Sequence, residues 1–332
     1  MKTTYLLLCL LGIGSVSGAG QTKQPQKIGD FIESTSYNEH RRNATRSLQY
    51  TPDGDDFVCI NGKNRFTRAL YGSHTAFRLE TSDRPVFAAY TKENPKHICF
   101  KLQTSGGTVA LDSTEHCESR YTAGRRSYSL SDPAFGGGSL SITTWALPDK
   151  EGAIWQFNAR NFKEFHPVLL ASISEIRNSK LNRNGDMGAD PADSFEAPLQ
   201  PQQLQSFPVQ IDGTLYILLE NQELRTLTTA EGENLFKKAE AARSETASRI
   251  RIETPDPYFN TLGGTLAMAA DGIWDGEVWL HGAIGWRMPL SGWRAAYTGD
   301  VLGWHDRART HFNAYAASQV TEVPNKIGRA HV

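Results

Sequence analysis

This sequence has little net charge, few cysteines and no long apolar segment, and each shortage excludes a class of protein. The formal net charge is -1 over 332 residues, so the chain lacks the basic excess with which proteins bind nucleic acid phosphates. No stretch approaches the ~20 consecutive apolar residues that a membrane-spanning helix needs. We therefore expect a globular protein, long enough for two domains, with neither nucleic acid nor a membrane span.

The first 20 residues are typical of an export signal. Lys2 precedes an apolar run over residues 5–13, and small residues follow, with Ser17 and Ala19 at a cleavage spacing. We expect this segment to be removed on secretion. Cys9 lies inside the apolar run without small residues leading into it, which makes a lipoprotein the weaker alternative.

Four cysteines are present in all, too few for a disulfide framework. After removal of the signal the chain keeps Cys59, Cys99 and Cys117. Three cysteines allow at most one disulfide, for example Cys99 to Cys117, and small buried free cysteines are an equal alternative.

Short apolar-alternating segments fill the first two thirds of the chain. Eight of them, rich in β-branched and aromatic residues and separated by Gly, Asn, Asp and Pro, lie between residues 56 and 160. Two more follow at 166–176 and 207–221. This spacing predicts an antiparallel β-sandwich over residues 21–222.

The connection between the last two strands has the oxygen-ligand spacing of a calcium loop, through Asn182, Asn184, Asp186, Asp190 and Asp193. Met187 stands where such a loop needs glycine, and its twelfth position is an aspartate rather than a glutamate. We favour a solvated loop without metal.

After residue 222 the periodicity becomes helical. Residues 223–254 predict a linker helix with a threonine cap and an inward stripe of Leu235, Ala239, Ala242 and Ile250. Asp256 and Pro257 predict the start of a second helix with Leu262, Leu266 and Ala269 inward. A third helix is expected over 301–320, with Leu302, Ala308 and Phe312 inward.

Between these last two helices lies a glycine-punctuated segment that concentrates tryptophans and carboxylates. With the start of the third helix it holds Trp274, Trp279, Trp286, Trp293 and Trp304, and Asp271, Asp275, Glu277, Asp300 and Asp306. Indole faces stack on sugar rings, and a carboxyl group against an indole keeps its proton to higher pH, as the acid of glycoside hydrolysis must. The alternative for any single tryptophan is that it fills a core.

Two long motifs carry a family resemblance: NGKNRFTRALYGSHTAFRLETSDRPVFAAY (61–90) and WDGEVWLHGAIGWRMPLSGWRAAYTGDVLGWHDRARTHFNAYAASQV (274–320). With them the chain resembles an uncharacterised family of exported six-hairpin glycosidase-like proteins from Gram-negative polysaccharide degraders. The resemblance implies a β-sandwich, a linker helix and an (α/α)6 toroid whose first hairpins occupy 255–325. It also implies a periplasmic or outer-surface glycoside hydrolase without a cofactor, and a domain interface lined by His74 and Arg78.

The segment from Asp271 to Asp300 is also similar, more distantly, to the DG, glutamate and GWTGD run of α-L-rhamnosidase-type toroids. That similarity implies sugar binding by these two aspartates and proton donation by Glu277, with Asp275 as the competing acid. Trp279 or Trp274 would form the apolar wall beside the acid. The remaining predicted substrate contacts are Trp286, Trp293, Arg294, Trp304 and His305.

The last seven residues, KIGRAHV (326–332), read like a translated sequencing adapter. We therefore expect a truncated toroid whose catalytic base lies beyond this sequence, and an inactive 332-residue product.

Two further functions remain open. A polysaccharide lyase would recruit Tyr297 as base with Arg294 and His305, and a glycan-binding protein would use the same tryptophans without chemistry. A zinc site is the least favoured reading, because His281 and His305 have no partner at metal-ligand spacing.

Overall fold

Strands of the first part of the chain bury alternate side chains, as the sequence pattern predicts. In the strand Arg125–Ser131, for example, Arg126, Tyr128 and Leu130 are buried between more exposed serines. The computed structural model describes residues 49–63, 66–90, 96–162, 167–175, 204–282, 287–290 and 292–319. All of these belong to one unit that begins at Gln49.

The strands, in chain order, are β1 Thr51–Asp53, β2 Asp56–Ile60, β3 Phe66–Leu70, β4 Arg78–Ser82, β5 Val86–Tyr90, β6 Lys96–Thr104, β7 Gly107–Ala110, β8 His116–Thr122, β9 Arg125–Ser131, β10 Ser139–Ala146, β11 Gly152–Arg160, β12 Val168–Glu175, β13 Gln205–Pro208, β14 Thr214–Glu220 and β15 Glu223–Leu227. The predicted strands are confirmed. Prediction missed β1, β7, β15 and β8, whose sequence HCESRYT is mostly polar, and it took β13 and β14 as one segment over 207–221.

Two antiparallel sheets form a β-sandwich. One runs β1-β2-β8-β9-β10-β11-β14-β15, and the other runs β13-β12-β6-β5-β4-β3 with β7 paired to β6. Between them lies an aromatic core in which Phe87, Phe100 and Trp155 meet edge to face, with ring centroids 5.4 to 5.9 Å apart. Each of these three side chains is almost fully buried.

The three cysteines that the structure describes are free. Cys99 lies on β6 of one sheet and Cys117 on β8 of the other, so the Cys99–Cys117 pairing considered from the sequence is not formed. The calcium-like segment 182–193 lies outside the described residues. No helix in the described ranges has the length and apolarity to cross a membrane.

Four helices follow the strands within the described ranges: α1 Thr229–Ala247, α2 Pro257–Gly272, α3 Gly292–Val301 and α4 His305–Ala317. The helix start signals that the sequence shows for α1 and α2 are confirmed. Thr228 and Glu231 form a reciprocal capping box at the start of α1. Asp256 caps α2 through the N–H of Tyr258, and Pro257 is its first residue.

Helix α1 is anchored on the first sheet. The Trp145 ring on β10 lies 4.0 Å from that of Phe236, and its Nε1–H donates to Glu240 at 2.8 Å. Helix α2 packs against α1 and against β1 of the sandwich, and the Thr261 hydroxyl lies 2.8 Å from the carbonyl of Pro257 in its own helix and 3.1 Å from that of Gly54 after β1. These contacts fix both helices to the sandwich.

The predicted third helix is wrong in extent. Residues 292–301, expected to be an irregular bend, form α3, and the chain breaks at Leu302–Trp304 before α4 begins. Gly303 has φ +73°, a left-handed conformation that ends a helix and that glycine adopts without strain.

The inward faces of these helices differ in part from the prediction. Ala239, Leu302 and Ala308 are buried, but Leu266 and Phe312 are about half exposed. Ile250 lies beyond the end of α1. The buried residues of α2 are Thr261, Gly263, Ala267 and Met268, which places its inward stripe on a neighbouring face.

Candidate functional site

Asp271, near the end of α2, is held by two partners from distant parts of the chain. Its Oδ1 accepts a hydrogen bond from Arg307 Nη1 at 2.7 Å and lies 3.3 Å from Nε2 of His74. Burial would raise the pKa of this carboxyl, but the hydrogen bonds from His74 and Arg307 outweigh that effect and lower it. Asp271 is therefore ionised at neutral pH and suited to accept hydrogen bonds.

Trp304 lies beside this carboxylate, at the start of α4. The guanidinium carbon of Arg307 lies 4.4 Å from the Trp304 ring centroid, and that of Arg249 lies 5.2 Å from it. Both are cation–π distances. One indole thus orients two cationic side chains.

A cavity of about 180 Å³ joins these groups. Asp271, Trp304, Arg307 and Arg249 line it from the helices, and the sandwich contributes His74 and others, including Tyr71 and Trp145. A cavity of about 150 Å³ is large enough for benzene, so this one has room for a single six-membered ring. An indole can contact the apolar face of a sugar ring, and carboxylate and guanidinium groups can form hydrogen bonds with its hydroxyls.

Three of the predicted tryptophans, Trp274, Trp279 and Trp304, belong to one buried cluster, and Trp304 is the one that also lines the cavity. Trp274 and Trp279 are buried with ring centroids 4.6 Å apart, and Trp279 is fully inaccessible. The Nε1–H of Trp279 donates to the carbonyl of Ala270 at 3.2 Å. Gly299 on α3 allows this close packing, since a Cβ there would lie 2.6 Å from the Trp279 ring.

The two predicted acids lie on a tight hairpin between these tryptophans. Backbone bonds pair residues 274 and 279, and Asp275 Oδ1 accepts the N–H groups of Glu277 at 3.0 Å and Val278 at 2.7 Å. Asp275 therefore shapes the turn. Glu277 is exposed, and neither carboxylate lines the cavity.

The other predicted contacts are spread more widely. Asp300 and His305 are exposed and pair with each other at 3.1 Å, and Arg294 is exposed on α3. Trp286 lies outside the described residues. The backbone of Trp293 is in α3, and its side chain is outside what the structure describes. Of the predicted set, the structure brings Asp271 and Trp304 to the cavity.

Sequence reasoning missed the arginines of this site. Arg307 reads as a surface charge of α4, and Arg249 lies just after a helix rich in charged residues. Nothing local distinguishes either one, because their partners come from other elements. His74, in contrast, was named from the sequence as a candidate interface residue, and it contacts Asp271 of α2.

A cysteine and a histidine also meet on β6, on the face opposite the aromatic core. Cys99 Sγ lies 3.3 Å from His97 Nδ1 on β6. Burial raises the pKa of the Cys99 thiol to about 12 and lowers that of His97 to about 4. Both stay neutral near pH 7, so this pair lacks the thiolate that nucleophilic catalysis needs. In the described ranges no group of three or more potential metal ligands comes together.

Part of the chain matches a protein-family model. Residues 95–250 match the family model described as "Domain of unknown function (DUF4450)". The match begins next to β6 and ends just beyond α1, so it covers most of the sandwich and the helix anchored on it. No curated protein sequence matches the chain.

Proposed function

We propose that this protein is an exported glycoside hydrolase of the six-hairpin type, acting on an oligosaccharide or polysaccharide. The observation that supports this best is the ionised carboxylate of Asp271 in a ring-sized cavity beside Trp304. In this proposal a sugar ring contacts the indole. Asp271 accepts hydrogen bonds from its hydroxyls and Arg307 donates to its oxygens.

The chemical step requires a proton donor and a second carboxylate that attacks or activates water. We assign proton donation to Glu277, with Asp275 as the alternative. Both lie on the hairpin whose flanking tryptophans, Trp274 and Trp279, give it a rigid hydrophobic base. The segment that carries them is continuous with Asp271 at the end of α2.

Exposed apolar side chains support the toroid in this proposal. Tyr297 and Val301 on α3, Phe312 on α4, and Phe259 and Leu266 on α2 are all at least 43% exposed. In an (α/α)6 toroid, such side chains pack against further helical hairpins. The helices described here would then be its first hairpins, with the sandwich before them.

Glycan binding without catalysis is the second candidate. One observation favours it: Asp271, the predicted carboxylate that lines the cavity, is held ionised, and Asp275 is engaged in its own turn. Groups that hold a sugar are thus better represented at the cavity than groups that donate a proton. The residues considered for a lyase, Arg294, Tyr297 and His305, are exposed and do not line the cavity.

The test is an activity and binding screen of the purified full-length protein on a panel of polysaccharides. New reducing ends indicate hydrolysis, and unsaturated uronic ends indicate a lyase. Glu277→Gln and Asp275→Asn are the variants for the acid. Asparagine keeps the Oδ1 acceptor that the hairpin requires, so loss of activity in Asp275→Asn reports chemistry rather than folding.

Three outcomes separate the functions. Hydrolysis that falls at least about a hundredfold in one acid variant, as expected for loss of a general acid, supports the proposal. Binding without either product supports the glycan-binding alternative. Hydrolysis undiminished in both acid variants would overturn the assigned chemistry.

A further inference from the structure

Two arginines at the cavity face the same indole but differ in how well they are neutralised. Arg307 pairs with the buried Asp271 at 2.7 Å. Arg249 has Glu245 as its acidic neighbour, 3.6 Å away; this carboxylate also lines the cavity, but it is 76% exposed to solvent. Water and salt screen such a pair strongly. Arg249 therefore carries most of the uncompensated positive charge at this site.

Both guanidinium groups also keep unused donors. Within the described part of the chain, one N–H of Arg307 is taken up, by Asp271, and one of Arg249, by the carbonyl of Leu302 at 2.8 Å. A guanidinium has five. The side chains are partly accessible, and both line the cavity.

A third arginine at the same cavity has its charge fully neutralised by a carboxylate. Arg243 makes two bonds to Glu240, at 2.9 and 2.5 Å, and a third to the carbonyl of Ala123 at 3.1 Å. Its role is to join α1 to the sandwich. The charge available to a ligand thus comes from Arg249 and Arg307.

We infer that the cavity selects an acidic saccharide, one whose ring carries a carboxylate. This rests on the proposed function, since it names the substrate class of the same site. The planar fork of a guanidinium matches a carboxylate in bidentate geometry. Trp304 holds the arginines in place and contacts the sugar ring. The negatively charged Asp271 accepts hydrogen bonds from the hydroxyls of the sugar.

The experiment is calorimetric titration with uronate oligosaccharides and with the same oligosaccharides methyl-esterified, alongside neutral glycans. The ester has nearly the same shape but no charge. We expect it to bind about ten- to a hundredfold more weakly, as loss of a charge-assisted hydrogen bond implies. The difference should shrink as salt is added.

Arg249→Gln is the variant for the charge, and Arg251→Gln is its matched control. Arg251 is also next to α1, but it is exposed and pairs with Glu253. Arg249→Gln should weaken binding of the acid form at least about tenfold more than it weakens binding of neutral glycans, and Arg251→Gln should change neither. Equal thermal unfolding of the two variants excludes a folding effect.

The outcomes distinguish failure of this inference from failure of the proposed function. Equal binding of acid and ester, with neutral glycans also bound, overturns acid selection and leaves the proposed function standing. A preference that falls by less than about tenfold in Arg249→Gln overturns the assignment to this arginine. No binding of any saccharide overturns both.

Discussion

His74 and Asp271 lie 3.3 Å apart although 197 residues separate them in the chain. The histidine follows strand β3 of the sandwich, and the aspartate ends helix α2. Their contact, with Arg307 from α4, connects three parts of the molecule at one carboxylate. The stability of this junction can be measured.

Replacing Asp271 by Asn should destabilise the protein by about 1 to 3 kcal/mol, because a largely buried charge-assisted pair with Arg307 is lost. Urea unfolding measures this. Asp306→Asn is the control: its side chain is 94% exposed and pairs with Arg309 on the surface, so its effect should stay within about 0.5 kcal/mol.

The lowered pKa of Asp271 also fixes the direction of a pH effect. Stability contributed by its ionised form is present above the unfolded pKa and is lost as the pH falls through the folded value. Wild type and Asp271→Asn should therefore approach each other in stability in acid. A constant difference down to low pH would contradict this account.

His97 should make the sandwich acid-sensitive at a higher pH. Burial lowers its pKa to about 4, against about 6.5 in the unfolded chain. The free energy of unfolding has its full value above about pH 6.5, and it falls by roughly 3 kcal/mol as the pH drops toward 4. In His97→Asn this loss should be absent, and denaturant midpoints measured on both sides of the window test it. An unchanged slope would contradict the prediction.

Gly299→Ala should destabilise the helical part, although alanine has the higher helix propensity. The added Cβ would lie 2.6 Å from the buried ring of Trp279 and 3.0 Å from Ala308. Overpacking of this kind costs about 1 to 3 kcal/mol. Thr298→Ala, on the same helix, should have a smaller effect. A stabilised Gly299→Ala would show that α3 can move away from Trp279.

Trp145→Phe tests the attachment of α1. The change removes the Nε1–H that donates to Glu240 at 2.8 Å, worth about 1 kcal/mol or more beyond the lost packing. Trp155→Phe is the comparison, because the buried Nε1 of Trp155 has no partner among the described residues. The midpoint temperature of thermal unfolding should fall further for Trp145→Phe than for Trp155→Phe. The reverse order would contradict the role of this bond.

Prediction from the sequence succeeded where the signal is local. Alternation gave the strands, and Thr228, Asp256 and Pro257 gave the starts of α1 and α2. The break between α3 and α4 was missed because a helix end at Gly303 and an irregular glycine-rich bend have the same composition. Helix propensity and the tertiary packing of Gly299 against Trp279 determine that residues 292–301 form a helix and not an irregular bend.

The site shows the same limit more clearly. Five tryptophans are equivalent in the sequence, but Trp279 is enclosed in a core and Trp304, in the same core, also lines a cavity. The difference depends on contacts between elements far apart in the chain, as does the pairing of Asp271 with His74. The sequence therefore singled out one aspartate that lines the cavity, Asp271, and it could not identify Arg249.

The bond between Trp145 and Glu240, together with the packing of α2 against α1 and β1, holds the walls of the cavity whether or not a ligand is bound. A ligand entering it meets a finished surface and need not spend part of its affinity on ordering α1 or α2. Recognition would then be that of a rigid receptor, with differences among saccharides expressed mainly in how long each one stays bound.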